Sequence, residues 1–209
     1  MKIINAGYEF ITPIDGMNIL KTIEQIGRVC YKSEDLITED SMIKFVKMLL
    51  ARGHEAVLEH YSFTVKFIVD RGVSHEIVRH RMASYCQEST RYCNYSKNKF
   101  GNEITVIKPC FFNEGTDLFR DWKSAMRMSE SHYFELLEQG ATPQEARSVL
   151  PNSLKTEVVM TANIREWRHF FKLRTSPAAH PQMREVAIPL LKECQEKIPA
   201  LFDDIEVGQ

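Results

Sequence analysis

The fourteen residues from Arg79 to Tyr92 hold the densest set of chemically useful side chains in the chain. This stretch, RHRMASYCQESTRY, contains three arginines, a histidine, two serines, a glutamine and a glutamate. Arginine presents five donors in a rigid fork that matches phosphate oxygens or the carbonyl edge of a heterocycle. Combined with hydroxyl and amide groups, these cations predict a site for a planar, anionic ligand. The alternative interpretation is a structural ion-pair network on a solvated helix.

Several common catalytic and cofactor motifs are absent from the sequence. His54-Glu55 is followed by His60 and not by a histidine three positions after the glutamate, so the HExxH zinc pattern fails and we predict no metal site. No two of the nine glycines are spaced as GxG, which excludes the Rossmann and Walker phosphate loops. A dinucleotide would need arginines, hydroxyls and a helix N-terminus instead, which the chain offers in Arg79, Arg81, Ser84 and Asn163.

Length and composition limit the classes of protein to consider. With 209 residues, 44% hydrophobic and 26% charged, the chain is predicted to form a single globular domain over residues 1–209. Its formal net charge of −1 argues against nucleic acid or a membrane surface as a partner. No apolar run approaches the roughly 20 residues that span a bilayer. The first residues do not resemble a signal peptide, so we expect a cytoplasmic protein.

The cysteines point to the same compartment. Their number is odd, at five, and none forms a CxxC pair, which is typical of reduced thiols. Cys30 and Cys194 are expected to be small buried hydrophobic residues. Spacing cannot separate a reactive Cys86 from a packed one, and packing is the favoured interpretation.

The elements that must position the charged stretch follow from apolar periodicity and end signals. Strands are predicted over residues 2–10, 61–69, 103–108 and 154–162. Helices are predicted over 15–32, from Ser41 to Gly53, from Ser74 through Arg81, over 117–139 and 142–149, from Asn163 to Arg174, and from Pro181 to about Leu201 with a break possible at Pro189. Without a regular βαβ alternation, this order predicts an α+β fold with a mixed sheet and several helices.

On the predicted helix through the charged stretch, Arg79 and Arg81 would lie about 200° apart, at roughly 100° per residue. They could not serve one small ligand from a single face. Either they clasp it from two directions at a helix end, or they face two neighbouring sites. The pattern suggests a composite site, such as one formed between subunits.

The helix after Asn163 carries a second set of polar side chains. Asn163 is expected to cap it, with Glu166 completing a capping-box-like pair. Arg165 and His169 lie four residues apart on one face. Its core face is predicted to consist of Ile164, Trp167, Phe170 and Phe171. By pattern alone, Arg174 interacts favourably with the helix C-terminus and Arg147 is a surface helix residue.

The motif Arg79-His80-Arg81, followed by seven residues and Ser89, resembles the signature of the flavin-dependent thymidylate synthases. The likeness extends over most of the chain, from the Gly53-His54-Glu55 region to the terminal helix. Further matching stretches, in the same order and spacing, are Ala146-Arg147-Ser148-Val149-Leu150-Pro151, Asn163-Ile164-Arg165, His169, Leu173-Arg174 and His180-Pro181-Gln182.

This resemblance implies an enzyme, a homotetramer of mixed α and β structure whose active sites are built from several subunits. The family converts dUMP to dTMP by reductive methylation. The resemblance implies FAD as hydride carrier, with NADPH as reductant and 5,10-methylenetetrahydrofolate as carbon donor. The expected partners are therefore dUMP, folate, NADPH and further copies of the chain, without nucleic acid or membrane.

The resemblance also assigns residues. Flavin contacts are implied for Ala56, Arg79, His80, Arg81, Gln87, Asn163, Arg165 and His169. Contacts with dUMP are implied for Glu76, Arg79, Gln87, Ser89, Arg91, Arg147 and Arg174. His54 is expected near the flavin and the folate. Arg174 is the implied catalytic residue, held against the uracil ring where it favours loss of the N3 proton.

Three positions depart from the family pattern. Cys86 and Gln87 replace asparagine and glutamate of several members, and Glu76 replaces a glutamine. A carboxylate at position 76 would repel a phosphate, so Glu76 is expected to pair with Arg79 at i,i+3.

Ser89 is assigned to binding, because a serine without a neighbouring base is a poor nucleophile. Two alternatives to the synthase remain at this stage. One is a nucleic-acid-binding module using residues 79–91, and the other is a flavin- or nucleotide-binding relative without synthase activity.

Overall fold

The computed structural model describes residues 1–208 and has the predicted α+β class, with mixed sheets and several helices. The strands are β1 (Lys2–Ile4), β2 (Gly7–Phe10), β3 (Ser62–Asp70), β4 (Ala83–Gln87), β5 (Thr105–Ile107) and β6 (Lys155–Asn163). The helices are α1 (Gly16–Tyr31), α2 (Ser41–Ala51), α3 (Arg71–Ile77), α4 (Asp117–Glu138), α5 (Pro143–Ala146), α6 (Ile164–Arg174), α7 (Pro181–Lys197) and α8 (Pro199–Phe202). Short 3-10 segments cover Glu34–Leu36, Glu55–His60, Asn98–Phe100 and Arg147–Val149.

The strands form two sheets. In the smaller sheet β1 pairs in parallel with β5, with Ile3 opposite Val106. The larger sheet has the strand order β2-β3-β6-β4. The predicted single strand over residues 2–10 is therefore wrong. Asn5 and Ala6 interrupt it, and its two halves join different sheets.

The helix predicted from Ser74 through Arg81 is also wrong. Asp70, the last residue of β3, caps α3, and its side chain accepts a 2.8 Å hydrogen bond from the Val73 N–H. The helix then ends at Ile77. The Arg79-His80-Arg81 motif lies in the turn that leads into β4, so the angular argument based on helix periodicity does not apply to it.

The chain folds into two compact units, each described on its own below. The first unit comprises Met1–Gly7, Phe67–Arg79 and Cys86–Val159. Its core lies where β5 and the segment before β6 meet α4, and Tyr95 packs on Tyr133 with ring centroids 5.7 Å apart. The buried side chains of this core are Tyr95, Ile104, Val106, Met126, Tyr133, Ala146 and Leu154.

The second unit comprises Tyr8–Lys66, His80–Tyr85 and residues 160–208. Its helices α1 and α2 pack closely because Gly27 has no side chain. A methyl group at that position would lie 2.6 Å from the Phe45 ring. Phe63 of β3 stacks on Trp167 of α6, with centroids 4.7 Å apart, and the Trp167 indole N–H donates to the Phe63 carbonyl. These contacts anchor α6, which carries several of the predicted site residues.

Some burial predictions failed in the same way. The helical spacing of apolar residues in α1 and α4 predicts that Val29 and Leu118 face inward, but they are 52% and 65% exposed. Cys194 is buried as predicted, whereas Cys30 and Cys86 are exposed, so packing was the wrong expectation for both.

The last predicted helix divides into α7 and α8 at Ile198, and Pro189 is accommodated inside α7. Within residues 1–208, no helix has both the length and the apolar character required to cross a membrane. The prediction of a single domain remains a prediction.

Candidate active site

His80 lies at the centre of a polar cluster in the second unit, which it forms with Glu166 and Arg174. Its side chain is only 2% exposed. The ring packs against Phe170 and His169, at centroid distances of 5.0 and 5.5 Å. The Tyr85 hydroxyl donates a 2.7 Å hydrogen bond to the His80 carbonyl, which holds the turn before β4. Burial raises the pKa of Tyr85 to about 12, so the hydroxyl keeps its proton.

Both ring nitrogens of His80 are engaged. Its Nδ1 lies 2.9 Å from Glu166 Oε1, and its Nε2 lies 3.1 Å from Arg174 Nε. A guanidinium has donors only, so Nε2 must accept and the ring proton must lie on Nδ1. Burial lowers the pKa of His80 below its usual value, and the Arg174 charge adds to this, while the Glu166 hydrogen bond opposes it. The cluster therefore holds a neutral imidazole between a carboxylate and a guanidinium.

Helix α6 brings Glu166 and Arg174 to this position. Asn163 caps it as predicted, its side-chain oxygen accepting a 2.9 Å hydrogen bond from the Glu166 N–H. The predicted apolar face is confirmed, because Ile164, Trp167, Phe170 and Phe171 are all fully buried. The capping-box-like role of Glu166 is not borne out, since its carboxylate bonds to His80 rather than to the backbone at Asn163.

A cleft of about 410 Å³ opens beside this cluster. It is lined by three of the predicted flavin residues and by acidic, basic and apolar neighbours. These lining residues are Glu55, Glu59, Met82, Asn163, Arg165, Glu166, Arg168, His169 and Lys172. Its volume and mixed lining are typical of a small-molecule or cofactor site.

The charge of Arg165 is partly compensated inside the cleft. Its Nη1 lies 2.6 Å from Glu59 Oε1, and its Nε lies 3.6 Å from Glu55 Oε2. The arginine side chain is 52% exposed, so a ligand anion could compete with these carboxylates.

Three further predicted flavin and folate residues of the second unit adjoin the lining residues in sequence. His54 and Ala56 are both exposed and flank Glu55, while Arg81 is exposed and precedes Met82. The His54 Nδ1 lies 2.6 Å from the hydroxyl of Tyr31.

The same cluster satisfies the distance requirement of a metal site, because ligand atoms of His80, Glu166 and His169 lie within 4.8 Å of one another. Two observations speak against a cation there. Both nitrogens of His80 already have partners, and one partner is the positively charged Arg174. A metal would have to displace Glu166 or Arg174 and then lie beside a fixed positive charge.

The predicted nucleotide residues of the first unit surround a turn after β4. The Arg147 Nη1 donates to Thr90 Oγ1 at 3.3 Å, and the Arg91 N–H donates to Ser89 Oγ at 3.3 Å. Arg91 and Arg147 are exposed, and neither forms an ion pair with a carboxylate within residues 1–208. This arrangement leaves two positive charges accessible to an anion.

Gln87, Glu76 and Arg79 also lie in the first unit. The Gln87 amide donates to Ser74 Oγ at 3.0 Å and to Thr156 Oγ1 at 3.3 Å, so its orientation is set by the protein. The Arg79 N–H donates to the Glu76 carbonyl at 3.3 Å and closes the turn after α3. The expected side-chain pairing of these two residues remains a prediction.

Sequence reasoning missed the partners of several predicted residues. It treated Glu166 only as a capping residue, and it assigned no role to Tyr31, Glu59 or Thr90, which contact His54, Arg165 and Arg147. Glu166 is 86 residues from His80, and Glu59 is 106 from Arg165, so no local spacing signals these pairs. The i,i+4 spacing of Arg165 and His169 did identify two residues that line one cleft.

Comparison with known proteins adds an independent observation. Residues 14–200 match the model of the family described as thymidylate synthase complementing protein. The chain is 33% identical over 186 residues to a flavin-dependent thymidylate synthase of Pyrococcus furiosus, covering 88% of this chain and 75% of that protein. It is 32% identical over 189 residues to the enzyme of the same name from Geobacter sulfurreducens, covering 87% and 80%. With that of Corynebacterium glutamicum it shares 32% identity over 220 residues, covering 97% and 85%.

Proposed function

The chain belongs to the flavin-dependent thymidylate synthase family, and from this premise we propose that it converts dUMP to dTMP by reductive methylation. In this proposal 5,10-methylenetetrahydrofolate is the carbon donor, NADPH the reductant and FAD the flavin. One observation carries the proposal. Asn163, Arg165 and His169, which the family resemblance assigns to the flavin, line a single cleft in the second unit, and further assigned residues at 54, 56 and 81 adjoin its lining residues Glu55 and Met82 in sequence.

The chemistry of this cleft fits a flavin dinucleotide. Arg165 and Lys172 offer positive charge to a diphosphate, and Asn163 and His169 offer polar atoms. Met82 is 68% exposed at the cleft and offers a flat ring an apolar contact. When bound, FAD would supply the hydride carrier that the protein's own side chains lack.

Arg174 is proposed to stabilise negative charge that develops on the uracil ring. A fixed cation beside a developing anion is most effective where water is excluded, and Arg174 is half-buried. Its neighbour His80 is held neutral, so the cluster presents one cation next to one carboxylate. Because Nε is used by His80, contacts of Arg174 with the pyrimidine would involve its terminal nitrogens.

Arg91 and Arg147 are proposed to bind the phosphate of dUMP, with Ser89 and Gln87 nearby in the same unit. Their charges are not paired with carboxylates in the described residues, which leaves them suited to an anionic ligand. Ser89 is proposed as a binding residue and not as a nucleophile. Its hydroxyl accepts from the Arg91 N–H, which is a donor and not a base.

We further propose a homotetramer with shared active sites. Large apolar side chains stand exposed beside both groups of site residues, with Tyr92 79% exposed in the first unit and Met82 68% exposed in the second. Aromatic residues and methionine are enriched at protein–protein interfaces relative to the rest of the surface. Light scattering coupled to gel filtration measures the assembly directly, and a mass of one chain would contradict it.

The decisive experiment measures thymidylate formed from dUMP by the purified protein. We expect a yellow protein whose flavin absorbance is bleached by NADPH, with product formed only when dUMP and methylenetetrahydrofolate are both present. A colourless protein that takes up no added FAD would contradict the flavin assignment. Flavin reduction without thymidylate would instead indicate a relative without synthase activity.

A further inference from the structure

The contacts of His80 connect Glu166 to Arg174 through one imidazole ring. Glu166 Oε1 lies 2.9 Å from Nδ1, and Arg174 Nε lies 3.1 Å from Nε2. The side chains of His80 and Glu166 are 2% and 11% exposed, so water contributes little to either contact. The carboxylate and the guanidinium are therefore joined by hydrogen bonds to opposite nitrogens of one buried ring.

The two hydrogen bonds of His80 with Glu166 and Arg174 can form together only when the imidazole is neutral. If His80 gained a second proton, an N–H would point at the Arg174 N–H, and two positive charges would face each other in a buried place. The groups that face the ring set this state. They are Glu166, Arg174 and His169 of α6, with Phe170 packed on the ring and the Tyr85 hydroxyl bound to the backbone carbonyl.

We propose that Glu166 is a positioning residue for the reaction, which acts through neutral His80 to fix the orientation of the Arg174 guanidinium. This inference rests on the proposed function, because it assigns Arg174 to the substrate. An arginine side chain has several freely rotating bonds, and misplacement of a catalytic group by about 1 Å can reduce a rate roughly 100-fold. A carboxylate that accepts the Nδ1 proton keeps the Nε2 lone pair directed at Arg174, so it contributes order without touching the substrate.

The first test does not depend on turnover. It uses NMR on the full-length protein to follow the ring nitrogens of His80 and the exchange of the Arg174 Nε proton with water. The matched variants are Glu166→Gln, which keeps an acceptor oxygen, and Glu166→Leu, which removes it at similar size. We expect wild type and Glu166→Gln to protect the proton, and Glu166→Leu to exchange it about tenfold faster or more. Equal exchange in all three proteins would overturn the inference.

The second test is a double-mutant cycle with Glu166→Leu and Arg174→Ala. In samples of the Glu166→Leu variant and wild type loaded with equal amounts of FAD and reduced beforehand, the dUMP-dependent oxidation of the reduced flavin is expected to be about 10- to 100-fold slower in the variant. In the Arg174→Ala background the same change is expected to have no further effect. Multiplying losses in the double variant would show that Glu166 acts independently of Arg174 and would overturn the inference.

A third variant guards against misfolding. Should Glu166→Leu not fold, Glu166→Asp keeps the charge but withdraws the carboxylate by one methylene, and it replaces Glu166→Leu in both tests with the same expected direction. If wild type itself makes no thymidylate, the proposed function fails. The proton-exchange measurement then still decides whether Glu166 orders Arg174.

Discussion

The second unit holds its central site residue with hydrogen bonds to protein partners, whereas the first unit leaves the charges of two site arginines uncompensated by carboxylates within residues 1–208. His80 is buried and bonded on both sides, to Glu166 and to Arg174. Arg91 and Arg147 are exposed, and within residues 1–208 they have hydroxyl, backbone or aromatic neighbours but no carboxylate. The hydrogen bonds of His80 fix the orientation of its side chain before any ligand binds. The charges of Arg91 and Arg147 remain accessible to an anion. A reacting group needs fixed geometry, and a phosphate site needs uncompensated charge.

The largest effect is expected from removing the cation of the ordered cluster. Arg174→Ala should lower the rate of thymidylate formation about 10²- to 10³-fold, because a developing negative charge loses its stabilising partner. Flavin content should stay unchanged. Arg174→Lys keeps the charge but loses the Nε contact, so its rate should lie between those of wild type and Arg174→Ala. Undiminished turnover in the alanine variant would remove Arg174 from the mechanism, and Lys192→Ala, an exposed site on α7, is the control.

A smaller effect is expected from the open group. Arg147→Ala should raise the KM for dUMP about 10- to 100-fold, since a charge-assisted hydrogen bond contributes roughly 1.5–3 kcal/mol. Steady-state kinetics at saturating folate and NADPH measure it, and kcat should change little. Arg120→Ala provides a control, because Arg120 is also exposed on the first unit but already pairs with Asp117. A selective fall in kcat would mean that Arg147 acts on the reacting atoms and not on binding alone.

The buried imidazole also makes stability depend on pH. The pKa of His80 is lowered in the folded protein. Below about pH 6.5 His80 therefore binds a proton in the unfolded chain but remains neutral in the folded one. Stability should therefore fall as pH falls through this window, by at most about 1.4 kcal/mol per pH unit for one proton. Urea unfolding between pH 8 and 5 measures the slope. His80→Gln, which cannot titrate, should show a shallower slope, and an identical slope would contradict the buried neutral state.

The smallest expected effect concerns Arg165, which shares features of both groups. Glu59→Gln removes the 2.6 Å ion pair and leaves more of the Arg165 charge for the flavin diphosphate. FAD should bind roughly two- to fivefold more tightly, as expected for the loss of an exposed competing pair. Flavin fluorescence titration measures the affinity. Weaker FAD binding would indicate that Glu59 orients Arg165 and does not compete with the ligand.

Local signals in the sequence were sufficient for α6 and insufficient for the turn before β4. The Asn163 cap and the apolar spacing from Ile164 to Phe171 are properties of a few neighbouring residues, and the structure confirms both. At residues 74–81 the predicted helix begins four residues too late, because the sequence pattern predicts Ser74 as its cap. In the structure Asp70 caps the helix, and Ser74 lies inside it. The alternation of half-buried Tyr85 with exposed Cys86 shows the period of two of a strand, which the surrounding charges obscured.

The candidate site was predictable as a set of residues but not as a set of contacts. Resemblance identified Arg165, His169 and Arg174, whose positions on α6 follow from helix periodicity. The pairing of His80 with Glu166 depends on how separate segments pack, and one sequence contains no signal for it. Burial set by tertiary packing likewise decided that Leu118 stays outside.

Asn163 ends β6 and caps α6 without an intervening loop residue. The distance from the sheet to the guanidinium at the far end of this eleven-residue helix is thus set by counting residues. Inserting a single amino acid after the cap would turn everything downstream by about 100° and advance it about 1.5 Å, carrying the imidazole's two partners away together. Natural and engineered variants should consequently accept many changes of identity in this segment while rejecting any change of its length.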